Sequence, residues 1–117
     1  MTELPKSIVC VGGGYIGVEM AQIMAALGVK VTLVTRGTIL KNIDRDIIEE
    51  LMNNMKKLGV EIMLNSPHKS VKKEKDGSLT LHLDVLKGND KVSADQVLLA
   101  LGRPANLEAL GLKQTKI

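Results

Sequence analysis

The 117-residue chain has a single aromatic residue, Tyr15, and no Trp or Phe. Its interior must therefore be built from Leu, Ile, Val, Met and Ala, and there is no aromatic platform on which nucleic-acid bases could stack. One cysteine, Cys10, is present. It can form no internal disulfide, so the expected location is a reducing compartment, the cytoplasm or an organelle matrix. No run is long and apolar enough to span a bilayer, and the N-terminus lacks a signal-peptide pattern, so no membrane partner is expected. A dominant charge is missing too. Sixteen basic and 13 acidic residues leave +3, too mild to argue for nucleic acid. The densest basic stretch, Lys69, Lys72, Lys73 and Lys75, is interrupted by Glu74 and Asp76 and reads as a solvated face. His68 and His82 stand in no clear arrangement with a nucleophile or carboxylate, and Glu61 and Asp95 have no case as acid–base groups. No catalytic residue and no metal ligand is expected. One last absence is local: no Asp or Glu occurs from Met20 to Ile43.

What is present begins with Ser7-Ile8-Val9-Cys10-Val11, a short apolar run. Gly12-Gly13-Gly14-Tyr15-Ile16-Gly17 follows at once, and Val18 to Leu27 reads as a helix stopped by Gly28. Ile16, Met20, Ile23, Met24 and Leu27 recur at helical spacing, and Val18, Ala21, Ala25 and Ala26 make the opposite side apolar as well. A helix apolar nearly all round is expected to be buried on more than one side, which points to a missing neighbour. Lys30 to Thr35 reads as a second strand, rich in β-branched residues. After a loop from Arg36 to Ile43, Asp44 is a natural N-cap for a second helix. Its apolar face is Ile47, Ile48, Leu51, Met52, Met55 and Leu58, with Gly59 at its end. Val60 to Leu64 is a third strand. Residues 69–94 read as an antiparallel meander, with Leu79, Leu81, Leu83 and Val85 alternating with polar residues and turns at Asp76-Gly77 and Gly88-Asn89. Gln96 to Leu101 is predicted as a final central strand, ending in Gly102-Arg103-Pro104. The expected fold is α/β: a Rossmann-like βαβαβ parallel sheet with an inserted antiparallel meander and a final central strand, in one domain over residues 1–117.

The spacing Gly12-x-Gly14-x-x-Gly17, between a strand and a helix, is that of a dinucleotide-binding turn. Gly12 makes the tight turn, Gly14 lets a pyrophosphate approach the backbone, and Gly17 lets helix and strand pack closely. The helix N-terminus offers free N–H groups to the phosphates. In such open sheets ligands bind beyond the carboxyl ends of the strands. Gly12 to Gly14, Thr35 to Arg36 and Gly102 to Arg103 all fall at such ends, so three pieces of sequence converge on one edge.

An acidic residue about 20 positions past the turn normally holds the ribose of NAD. Here that place is Thr35, and the loop beyond it carries Arg36 and Lys41, while Thr35 and Thr38 can donate hydroxyls. A 2′-phosphate suits cations and repels a carboxylate. NADP(H) is therefore favoured over NAD(H). Gly17 weighs the other way, since Ala is an alternative at that place and often accompanies NADP.

These residues resemble the central pyridine-nucleotide domain of the flavoprotein disulfide reductases, which include glutathione reductase, trypanothione reductase, lipoamide dehydrogenase and mercuric reductase. The resemblance spans nearly the whole chain. It is carried by Val11-Gly12-Gly13-Gly14-Tyr15-Ile16-Gly17-Val18-Glu19, by Thr35-Arg36-Gly37 with Ile39-Leu40-Lys41 and Asp44, and by Ala100-Leu101-Gly102-Arg103-Pro104-Ala105-Asn106. Two departures stand out. The loop is one residue shorter than in the glutathione and trypanothione reductases, with Lys41 where a second Arg is usual, and Pro104 comes one place early. The resemblance implies that Gly12, Gly14 and Gly17 hold the pyrophosphate and that Arg36 and Lys41 hold the 2′-phosphate. It implies that Tyr15 gates the nicotinamide pocket, that Glu19 faces an FAD domain and pairs with a lysine there, and that Arg103 lies near the cofactor. Gly13, Ile16, Thr35 and Gly102 complete the expected cofactor-binding set. Residue by residue, plainer accounts stay open: Tyr15 packing on the helix, Glu19 answering the dipole of a first helical turn. The expected partners are NADPH, FAD and interface domains of the same parent chain, and a second parent copy in a homodimer. FAD would belong to the full-length protein only. The FAD site and redox cysteine pair that this chemistry needs are not in the 117 residues, so the chain alone is expected to bind nucleotide without turnover. The NAD(H) domain of a lipoamide dehydrogenase and a free-standing nucleotide sensor are the alternatives.

Overall fold

Every residue from Ile8 to Val11 of the first strand, β1 (Ser7–Val11), is buried, because both of its faces are covered. The computed structural model describes residues 3–85, 88, 90–111 and 114–115. In it β1 lies between β2 (Lys30–Val34) and β7 (Gln96–Leu99), and β2 also pairs with β3 (Glu61–Met63). All these pairings are parallel, in the order β3-β2-β1-β7. A second, antiparallel sheet joins β4 (His68–Lys73), β5 (Leu79–Leu83) and β6 (Lys91–Ala94) in chain order.

The period-2 alternation of β1 and β2 separates two cores. Ile8 and Cys10 of β1 and Val31 and Leu33 of β2 join Val18, Ala21 and Met24 of α1 (Tyr15–Ala26) and Ile48 and Met55 of α2 (Arg45–Lys57). Val9, Val11 and Val34 point the other way, onto Leu81, Leu83 and Ala94 of the antiparallel sheet. The result is three layers: helices, parallel sheet, antiparallel sheet. Leu33 is fully buried, and truncating such a side chain to Ala typically costs about 2–5 kcal/mol. The meander turn forms where the sequence places it. Gly77 has φ +90, and the Asp76 carboxylate accepts from the Ser78 N–H at 3.0 Å and its hydroxyl at 2.7 Å, which holds the Asp76 carboxyl below its usual range.

Several expectations are corrected. α1 begins at Tyr15, inside the glycine turn, and not at Val18. Its buried side is Gly17, Val18, Ala21 and Met24, with Gly17 and Ala21 letting the first half of the helix lie close to the sheet. The Ile16, Ile23 and Leu27 stripe faces outward and is 42–56 % exposed. In α2 the expected face is buried at Ile48 and Met55 only; Leu51 and Met52 are half-buried, and Ile47 and Leu58 are exposed. β5 ends at Leu83, so Val85 lies beyond it. Asn89 of the expected turn lies outside the described residues. The final strand is shorter than expected, ending at Leu99, and among the described residues it stands at the edge of the parallel sheet. Its only strand neighbour there is β1, so Leu99 and Leu101 remain exposed. Glu61 and Asp95 have structural partners. Glu61 accepts from the Thr32 hydroxyl at 3.1 Å, and Asp95 accepts from the Ser7 N–H at 2.9 Å, tying the start of β1 to the β6–β7 corner.

Candidate functional site

At the carboxyl end of β1 the backbone turns at Gly12, whose φ of +126 is open to glycine. Its N–H donates to the Val34 carbonyl at 2.8 Å, and the Ala100 N–H donates to the Val11 carbonyl at 2.8 Å. The turn is thus wedged between the ends of β2 and β7. A Cβ on Gly12 would collide with the Ala100 carbonyl, and a Cβ on Gly17 would collide with the Gly12 carbonyl. Neither obstacle can swing aside, because both are backbone. Gly14 differs: a Cβ there would meet nothing within 4 Å. The space beside Gly14 is open, as backbone approach by a phosphate requires.

Gly14 is also the N-cap of α1, with φ −79 and ψ 175, and no side chain caps the helix. The first intrahelical bond runs from the Val18 N–H to the Gly14 carbonyl at 3.1 Å. The N–H groups of Tyr15, Ile16 and Gly17 therefore have no acceptor within the helix. With no acidic residue in the first turn, the helix end keeps its partial charge of about +0.5. Gly12, Gly13, Gly14 and this helix end together make a site that fits a pyrophosphate.

Thr35 follows β2 and is 2 % exposed. Its hydroxyl donates to the Gly37 carbonyl at 2.7 Å and accepts from the Gly37 N–H at 3.1 Å. That hydroxyl is thus engaged within the loop. Arg36, Thr38 and Lys41 are exposed. Arg36 and Lys41 make no ion pair among the described residues. Ile39 is fully buried and anchors the loop in the helical core. Behind Lys41 a groove of about 250 Å³ is lined by Thr38, Lys41, Ile43, Arg45, Glu49 and Met52. Arg45, at the start of α2, carries no motif that would single it out in the sequence; it lines the same groove as Lys41, which lies four residues before it.

The structure therefore brings together the glycine turn, the loop from Thr35 to Lys41 and the end of β7. Gly102 and Arg103 follow Ala100 in an exposed segment without regular structure. Tyr15 stands at the helix start and is 57 % exposed. Ile16 is exposed beside it. Glu19 is exposed and lies in the second turn of α1, so the dipole of the first turn does not account for it. Cys10 is fully buried, and burial pushes its thiol up to about 11. That makes it an inert core residue. The described residues contain no group of three or more His, Cys, Asp or Glu that could hold a metal, and no helix long and apolar enough to cross a membrane.

A family model described as pyridine nucleotide-disulphide oxidoreductase matches residues 1–117. A dihydrolipoyl dehydrogenase of Geobacillus stearothermophilus is 36 % identical over 98 % of this chain and 24 % of its own length. A glutathione reductase of Nostoc is 38 % identical over 97 % of this chain, again 24 % of its own length. Among solved structures, the HOCl-induced flavoprotein disulfide reductase RclA of Escherichia coli, as its Cu(II) complex, superposes over the whole chain with a TM-score of 0.84 at 30 % identity, covering 26 % of that chain. An engineered water-forming NADPH oxidase bound to NADPH superposes on 93 % of this chain and 24 % of its own, with a TM-score of 0.83 at 26 % identity. The chain spans about a quarter of the length of the curated relatives it matches.

Proposed function

Because the chain belongs to the pyridine nucleotide-disulphide oxidoreductase family, we propose that it is the NADP(H)-binding domain of a longer FAD-dependent disulfide reductase, most like glutathione reductase. The observation that carries this reading is the pairing of an open, uncapped glycine turn with a loop that has Arg36 and Lys41 exposed and no acid at position 35. The pyrophosphate is held by the N–H groups at the start of α1, with Gly14 leaving it room. The 2′-phosphate is met by Arg36 and Lys41, of which only the guanidinium can bind it in bidentate fashion. Tyr15 and Ile16, exposed at the rim, flank the nicotinamide end, and Glu19 faces the FAD domain of the parent chain. Gly102 and Arg103 close the third side of the site. NADPH, when bound, supplies a hydride; in the parent protein one NADPH and one proton reduce one disulfide to two thiols by way of FAD. The residues here bind and orient the nucleotide.

The engineered oxidase supports the nucleotide assignment. Its five substitutions include Asp to Ala and, at the next position, Ala to Arg, and it is bound to NADPH. The order Thr35-Arg36 has the same character: no acid, then a guanidinium. Calorimetric titration tests the proposal. NADPH should bind at least about tenfold more tightly than NADH, and Arg36→Glu should remove that preference. Equal affinity, or a preference for NADH, overturns it.

A second reading, the nucleotide domain of a dihydrolipoyl dehydrogenase, is favoured by the recurrence of that enzyme among the relatives and by Gly17 in place of Ala. It requires NADH to be the tighter ligand, so the same titration decides between the two.

A further inference from the structure

We propose that Gly13 and Thr35 form a two-point clamp that sets the loop bearing Arg36 and Lys41 against the glycine turn, and that they are thereby positioning residues for nucleotide selectivity; the selectivity part rests on the NADP(H) reading above. The fingerprint leaves the position between its first two glycines free. This structure does not. A Cβ on Gly13 would lie 2.8 Å from the Thr38 carbonyl oxygen and 3.2 Å from both Ile39 Cα and Thr35 Cβ. The two nearest obstacles are the backbone of the loop, so the demand for glycine at this place comes from the loop and not from a phosphate.

The contact is also bonded. The Gly13 carbonyl accepts from the Leu40 N–H at 2.7 Å. Leu40 has φ +44, a left-handed conformation that a γ-branched residue adopts only when its surroundings impose it. Its own carbonyl is taken by the Ile43 N–H at 2.8 Å. Lys41 leaves the chain directly after this pinned residue.

Thr35 pins the other end. Its buried hydroxyl both donates to and accepts from Gly37, closing a turn whose apex is Arg36. Its backbone is held as well: the Thr35 N–H donates to the Met63 carbonyl at 2.9 Å, and the Thr35 carbonyl accepts from the Ser66 N–H at 2.8 Å. A hydroxyl can serve one donor and one acceptor at once; a methyl can serve neither. Since Arg36 and Lys41 have no ion-pair partners among the described residues, their aim is set by the backbone beneath them. The position that would carry an acid in an NAD-binding protein is used here to shape the loop.

The test uses Gly13→Ala, Thr35→Val and Thr35→Ser in the 117-residue chain, reading amide hydrogen exchange at Leu40 without ligand and the NADPH to NADH affinity ratio by calorimetry. Protection of the Leu40 amide should fall at least about tenfold in Gly13→Ala and in Thr35→Val, and stay near wild type in Thr35→Ser. The affinity ratio should fall by about tenfold in the first two and be retained in the third. Should Gly13→Ala not fold, the near-isosteric Thr35→Val decides. Unchanged Leu40 protection in folded Thr35→Val overturns the clamp. Lost protection with an unchanged affinity ratio overturns its role in selectivity, as does an equal loss of both affinities. A wild-type chain that prefers NADH overturns the NADP(H) reading alone, because the exchange measurement still decides the clamp.

Discussion

At the glycine turn the backbone packs too closely against its neighbours to admit a side chain on Gly12 or Gly17; in the loop from Thr35 to Lys41 it is shaped by a side-chain hydroxyl and a left-handed residue. The bonds from the Gly12 N–H to Val34 and from the Ala100 N–H to Val11 fix the turn between the ends of β2 and β7. The loop reaches its shape through the Thr35 hydroxyl and the bond from Leu40 to Gly13, with Leu40 in a left-handed conformation. That conformation costs about 1–2 kcal/mol, close to what one or two such bonds return. The turn is thus the rigid part, suited to the pyrophosphate that both dinucleotides share. The loop is the adjustable part, suited to the one group by which they differ.

The largest effect should come from breaking the rigid half. Gly12→Ala drives a Cβ into the Ala100 carbonyl at a φ of +126, and a loss of about 3 kcal/mol or more is expected. Thermal unfolding reads it, and an unchanged melting temperature would show that the close packing is dispensable. Gly14→Val should behave in the opposite way. Its side chain enters open space, so the fold should survive while NADPH affinity falls about 100-fold, a change of about 3 kcal/mol. Measuring melting and binding on one sample separates the two glycines. Normal affinity in folded Gly14→Val would mean that the turn is not the phosphate site.

The strand beneath both regions gives a smaller, pH-dependent effect. The Cys10 thiol sits at about 11 in the folded chain, against about 8.5 when unfolded. Below the lower value both states are protonated and the buried neutral thiol contributes fully. As pH rises towards 11 only the unfolded chain releases the proton, so stability declines by about 2 kcal/mol. Denaturant unfolding of wild type and Cys10→Ala at pH 8 and pH 10.5 should show a steeper decline in the wild type; parallel declines would refute the assignment. The smallest effect is expected at α2, beyond the loop. The Asp44 carboxylate accepts from the Asp46 N–H at 2.9 Å, and Asp44→Ala should cost about 1 kcal/mol with little change in nucleotide binding. A large loss of binding there would move part of the site to the groove between Lys41 and Arg45.

The two helices show how far the sequence could be read. α2 is amphipathic, capped by Asp44 and closed by Lys56 and Lys57; its place follows from local pattern, and Ile48 and Met55 are buried within the face that pattern marks, while Ile47 and Leu58 of that face are exposed. α1 is apolar on nearly every side, so periodicity cannot choose a face. Sheet contact chose the small one, Gly17, Val18 and Ala21, and left Tyr15, Ile16, Ile23 and Leu27 outward. The same limit applies to the last strand, whose apolar run suggests burial on both sides although β1 alone flanks it among the described residues.

The sequence by itself determined the order of the elements, the glycine turn, the missing acid at position 35 and the cations beside it, because each depends on residues within a few positions of one another. Only the tertiary structure decided why Gly12 must be glycine, what Gly13 is for and how the Thr35 backbone is held. Those answers depend on Ala100, Thr38 and the end of β3, partners that are distant in the chain and meet only when the three layers close.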